Sequence, residues 1–180
     1  MLLVDAITGA AQSATVNDHS AAYDLVLLAH VLSALIGLVA VLVAGGFALA
    51  LRAAIRRGGP LPESLIRYYR PGVNWVGRML FAVPVFGVAL IAMSGGRWGW
   101  SDAWVSGGMA AWAAVAMVAE GTLWPGERKL QVVIAEPPGV GTAGALSASG
   151  TSGHCLTIAM CAGGCAVALL AVGVLMVAKP

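Results

Sequence analysis

Residues 25–51 read LVLLAHVLSALIGLVAVLVAGGFALAL, a run without a single Asp, Glu, Lys or Arg. A helix crosses a hydrocarbon core of about 30 Å with about 20 residues, so this run can span a membrane. It opens just after Asp24 and stops at Arg52. Three more apolar stretches follow, at 72–94, 103–124 and 154–178; the middle two each carry one charge at depth, Arg78 and Glu120. In lipid, the backbone polar groups of each stretch must be satisfied within it, which makes the stretches helices. The expected fold is an all-α integral membrane protein: four transmembrane helices, at about 24–51, 72–94, 103–124 and 154–178, in an antiparallel bundle.

Composition agrees. The chain is 59% hydrophobic and 10% charged, with a mean hydropathy of +0.88. Soluble domains carry roughly a quarter charged residues. A net charge of only +2 gives nucleic acid no handle, so none is expected as a partner. The partners expected are the lipid bilayer and other integral membrane subunits. An Ala/Gly/Val/Arg-rich composition suits a high-GC bacterium.

Charge also predicts orientation. Arg52, Arg56, Arg57, Arg67 and Arg70 lie between the first two spans, and Arg128 and Lys129 follow the third. The other side has Arg97 and Lys179. Cytoplasmic loops are enriched in Lys and Arg, which places both termini outside a bacterial inner membrane. Residues 1–22 then form an external N-terminal segment, and the Pro/Gly/Ser-rich region 127–153 a cytoplasmic linker whose start, ERKLQVVIA, could also extend the third helix. Tyr23, Trp98, Trp100 and Trp104 read as an outer aromatic belt, and Tyr68, Tyr69, Trp75 and Trp124 as an inner one.

The fourth span opens with HCLTIAMCAGGC, residues 154–165, which holds all three cysteines. Cys161 and Cys165 share a helical face, and Cys155 points about 120° away from Cys161. One helix cannot supply the four convergent ligands of a closed zinc site. Redox chemistry needs a thiolate, which apolar surroundings disfavour. Ala159 and Gly163, Cys161 and Cys165, and Ala162 and Ala166 instead repeat the small-xxx-small spacing that lets helices approach closely. Cys161, Cys165 and Gly163 are therefore assigned to packing.

Polar residues inside spans normally face the bundle and pair. Arg78 and Glu120 fall at similar depth if the second and third helices are antiparallel neighbours, and an ion pair is expected between them. Snorkelling of Arg78 to the inner phosphates is the alternative. His30 shares a face with Ser33, Ala34, Gly37 and Ala44. It lies most of a bilayer from His154, so the two cannot ligate one haem within the chain. His30 with Met93, Met109 and Met176, all in the outer half, is a weak candidate for Cu(I), which favours soft thioethers; methionine as a gap-filler is the plainer reading. Pro84 should kink the second span, because it removes one helical hydrogen bond.

The segments LLAHVLSALIGLV (27–39), VGRMLFAVPVFGVALIAMSGG (76–96) and SDAWVSGG (101–108) resemble uncharacterised bacterial four-helix membrane proteins, loosely like the copper-resistance-D-like and protoporphyrinogen-oxidase-like groups. The resemblance covers about residues 24–135 and implies that His30 matches the family's first-helix histidine. The tryptophan and glycine usual after that histidine are replaced here by IGLVAVLVAGG.

Paired histidines, an acidic cluster, a nucleotide loop and CxxC are all missing from the sequence. The leading expectation is a non-catalytic accessory subunit of a larger membrane complex, respiratory or otherwise energy-transducing, with no cofactor. A haem- or copper-handling protein centred on His30 is the alternative. A small oligomeric transporter, lined by Ser33, Asn74, Arg78, Ser106, Glu120 and Thr122, ranks third.

Overall fold

The computed structural model describes residues 2–58, 60–135 and 148–178, which are helices and turns with no strand. Helix α1 is Leu2–Arg57, α2 Glu63–Tyr68 and α3 Trp75–Arg78. A 3-10 turn at Met79–Phe81 leads into α4, Ala82–Met93. Then come α5 at Ala103–Val118, a π-helical turn at Ala119–Leu123, α6 at Trp124–Ala135 and α7 at Ala148–Ala178. Four helical stretches are long and apolar enough to cross a membrane: Ala21–Arg57, Trp75–Met93, Ala103–Ala135 and Gly150–Ala178.

These limits differ from the sequence reading at three places. The backbone before residue 23 is already helix from Leu2; the stretch holds no proline, and its one glycine is Gly9. Residues 127–135 continue the third span as α6. The last helix begins at Ala148, six residues ahead of His154. The rest of the expected linker, 136–147, lies outside the described residues.

Local chemistry explains the breaks. Gly58 ends α1 with φ +66°, a backbone geometry that costs glycine nothing. Pro60, Pro62 and Pro71 then punctuate the basic loop. Asn74 caps α3 by accepting a hydrogen bond from the Gly77 amide at 3.2 Å. Asp102 stands at the N-cap of α5, but its carboxylate turns back into the loop and accepts from the Gly99 amide at 2.8 Å.

Helix α1 buries one stripe, Ser33, Gly37, Ala40, Val41, Ala44, Ala48 and Leu51, at helical spacing. It packs against α7 and α4, and α7 also packs against α5. Gly45 and Ala162 form the tightest point: a Cβ at Gly45 would stand 2.8 Å from the Ala162 Cβ. The outward faces are apolar, with Leu28, Leu35, Val85, Val167 and Val174 all exposed. Water would make such a surface a liability, whereas lipid tails solvate it.

Only part of each aromatic belt stays at the surface. Trp75 and Trp100 are exposed, whereas Tyr69 is buried, Tyr68 stacks on Phe47 with ring centroids 3.9 Å apart, and Trp124 lies under Arg78.

Candidate functional site

The polar residues of the spans gather into two joints, one around Pro84 and one at the arginine-rich end. Pro84 has no N–H, so the Leu80 carbonyl loses its helical partner. Trp112, from α5, donates its indole N–H to that carbonyl at 2.9 Å. The proline ring also crowds the preceding turn, and the helix tightens to 3-10 geometry at Met79–Phe81 just before it. On the other side, His30 Nδ1 donates to the Val83 carbonyl at 2.9 Å. A carbonyl cannot donate, which fixes the proton on Nδ1 and leaves Nε2 as the acceptor nitrogen. The imidazole lies over Gly87, where a Cβ would stand 3.3 Å from His30 Cε1. Ser33 bonds back to the His30 carbonyl at 2.8 Å, within its own helix. Helices from three spans are thus tied at this turn.

At the arginine-rich end, Arg78 Nη1 donates to Glu120 Oε1 at 2.6 Å, and its guanidinium lies 3.9 Å above the Trp124 ring. The pair expected from depth is made. Its side chains remain 27% and 51% exposed, so it sits at the bundle surface and not in its core. The π turn that carries Glu120 ends at Leu123 and is capped by Trp124, directly before Pro125. Pro125 cannot bond the carbonyl four residues back, and one wider turn absorbs the mismatch while the helix continues.

Further on, Glu127 is buried, and the sequence reading, which placed 127–135 in the linker or as an extension of the third helix, gave it no role. Tyr68 donates to Glu127 Oε1 at 2.6 Å, and the Asn74 amide lies beside it. Burial holds both Tyr68 and Tyr69 above the ordinary phenol range, at Tyr68 with help from Glu127, so both are neutral O–H groups. The Tyr69 hydroxyl and His154 Nε2 are buried with no hydrogen-bond partner among the described residues. Arg52 Nε donates to Ser152 Oγ at 3.2 Å and links α1 to α7. Between α2, α3 and α6 a groove of about 260 Å³ opens, lined by Tyr68, Arg70, Gly72, Val73, Asn74, Glu127 and Gln131. Arg78, Trp124 and Arg128 border an adjoining cleft.

The cysteines are free, and burial groups Cys165 with Cys155 and not with Cys161, whose helical face it was expected to share. Cys155 and Cys165 are buried on the α7 face that meets the core, with Ile158 and Ala162, and Cys161 is only half-buried. Gly163 is turned outward: apart from its own stretch of helix, no atom of the described residues lies within 4 Å of the position its Cβ would take. The glycine that seats the first and last spans together is Gly45. Among the methionines, Met176 lays its methyl on Gly108, and Met93 is exposed. Met93 is about 9 Å along α4 from Gly87, where His30 rests. No group of three or more His, Cys, Asp and Glu side chains among the described residues is placed to hold a metal ion.

No protein-family model, curated protein or solved structure matches this chain. Function has to be argued from the joints and the surfaces themselves.

Proposed function

We propose that this chain is a non-catalytic integral membrane subunit that works by packing against other membrane proteins, in an assembly such as an energy-transducing complex of a bacterial inner membrane. Its spans form an antiparallel bundle, with the arginine-rich end cytoplasmic and both termini outside. The order of contacts supports the first part: Arg52 meets Ser152 and Gly45 meets Ala162, so positions rise along α1 as they fall along α7. The bias of Arg and Lys between the two sides supports the second.

The observation that carries the role is the outward face of α7. Gly163 and Gly164 are exposed there, with open space where each side chain would be. Small residues let another helix approach closely enough for backbone contact. The polar groups of the spans, by contrast, are turned to one another in the joints around Pro84 and Arg78. Purification of the tagged chain from native membrane in mild detergent, with mass spectrometry and an absorption spectrum on one peak, tests this. Other subunits should co-elute, and Gly163→Leu with Gly164→Leu should release them while the chain's own melting temperature barely moves. A lone monomer carrying nothing would overturn the proposal.

One observation favours the second reading, haem or copper at His30. A ligating histidine usually donates its other ring N–H to a carbonyl or carboxylate, which orients the ring. His30 does so through Nδ1 and keeps Nε2 available. That reading requires a Soret band or stoichiometric copper that disappears in His30→Ala.

A further inference from the structure

The groove of about 260 Å³ at the arginine-rich end offers polar groups beyond those that the Arg78–Glu120 and Tyr68–Glu127 contacts occupy. Arg70 lines the groove and Arg128 the adjoining cleft, which shares Asn74, Glu127 and Gln131 with it; both arginines are exposed, and neither guanidinium has a hydrogen-bond or ion-pair partner among the described residues. The other cation, Arg78, is already paired with Glu120, and the one carboxyl on the floor, Glu127, is held by Tyr68. Three guanidinium groups against two carboxylates leave one positive charge. The lining adds neutral hydrogen-bonding groups in Asn74, Gln131 and the Gly72 carbonyl, the last already touched by Gln131 Nε2 at 3.4 Å.

An apolar track leads away from this groove. Val73, Trp75, Val76 and Met79 are exposed beside it, at the start of the second span. Tryptophan at the end of a span marks the headgroup level of a bilayer. A polar cradle with one excess positive charge therefore adjoins a surface suited to hydrocarbon chains.

We propose that this groove binds the headgroup of a monoanionic phospholipid. The phosphodiester sits between Arg70 and Arg128, which offer planar paired donors to its oxygens. Headgroup hydroxyls reach Asn74 and the Glu127 carboxylate, and the acyl chains run past Trp75 and Val76 along the second span. Basic pockets between helices at the cytoplasmic side recognise anionic headgroups by this combination of charge and hydrogen bonding. A second protein is the competing occupant of any exposed surface, but two unpaired arginines at headgroup level, over an apolar track, match a lipid in both charge and shape.

The test is native mass spectrometry of the purified full chain, titrated with dioleoyl phosphatidylglycerol or dioleoyl phosphatidylcholine. One phosphatidylglycerol should be retained in preference to phosphatidylcholine. Arg70→Gln or Arg128→Gln should each weaken its retention roughly fivefold, and the pair together roughly twenty-fivefold. Both positions are exposed, so folding should be unaffected, which circular dichroism melting checks. Arg56→Gln with Arg57→Gln removes equal charge from the exposed end of α1 and should leave retention unchanged. Equal retention of the two lipids, unchanged retention in the Arg70/Arg128 double variant, or an equal loss in the Arg56/Arg57 variant would each overturn the proposal, the last because it means diffuse attraction and no site. Loss of partner subunits leaves this result untouched, since the groove and the glycines of α7 lie on different elements.

Discussion

The seam between the first and last spans and the seam between the second and third are built from opposite materials. The first is dry: Gly45 against Ala162, with Ala48, Ile158 and Cys165 buried around them. The second is bridged by long side chains: Trp112 to the Leu80 carbonyl, Arg78 to Glu120, and Phe81 edge-on to Trp112 with centroids 6.1 Å apart. Where small residues bring two backbones together, dispersion between close-packed atoms holds them. Where the helices stand further apart, only an indole, a guanidinium or a phenyl ring reaches across. The two seams should fail differently.

The dry seam should fail by volume. Gly45→Leu drives a side chain into Ala162, whose Cβ is already 2.8 Å from the place of the new Cβ. An alanine Cβ has no rotamer to swing aside, and the next atoms met belong to the Ala159 backbone. A loss of about 3 kcal/mol is expected, measured as detergent or denaturant unfolding followed by circular dichroism. Gly163→Leu, one residue past Ala162 on α7 but facing outward, should cost less than about 0.5 kcal/mol in the same assay. Equal losses at the two glycines would mean that the dry seam is misplaced.

The polar seams should fail by desolvation. Tyr68→Phe leaves the buried Glu127 carboxyl without its 2.6 Å donor while keeping the stacked ring on Phe47. A loss of about 2 kcal/mol is expected, the scale for removing a donor from a buried charged group. Trp112→Phe should cost less, about 1 kcal/mol, because the group orphaned is the neutral Leu80 carbonyl. This second loss has a specific rescue. Pro84→Ala restores the N–H that would bond Leu80 within its own helix, so Trp112→Phe should cost little in that background. A double-mutant cycle with no coupling would show that Trp112 contributes by its ring alone.

Much of this was legible in the sequence, for identifiable reasons. Length without charge marks the spans, since lipid allows few alternatives. The spacing of Ser33, Gly37 and Ala44 predicts the inward face of α1, and depth alone puts Arg78 opposite Glu120. Proline at 84 announces a freed carbonyl, but not that Trp112, 32 residues from Leu80, would reach it. The choice between Gly45 and Gly163 was hidden as well, because small residues line both and periodicity does not say which face meets protein. Glu127 escaped notice because 127–135 reads as linker or as an extension of the third helix. Pro125 was the available signal: a proline just inside a helical end that does not stop it implies a bulge, and a bulge redirects the turn that follows.

The smallest effect expected is at the most conspicuous contact. The Arg78–Glu120 pair is short, yet the Glu120 side chain is 51% exposed, so solvent and headgroups compete for both partners. Exposed pairs contribute roughly 0.2–1 kcal/mol. Glu120→Gln should therefore cost about 0.5 kcal/mol in the unfolding assay, and less in high salt. Arg78 does not become an orphan in that variant, because the Trp124 face still lies 3.9 Å beneath its guanidinium. Arg78→Leu should cost more than Glu120→Gln, since it removes the partner of the ring and of the carboxylate together. The opposite ranking would mean that Glu120 is more deeply withdrawn from water than its exposure indicates, and that the seam between the second and third spans depends on charge before it depends on aromatic packing.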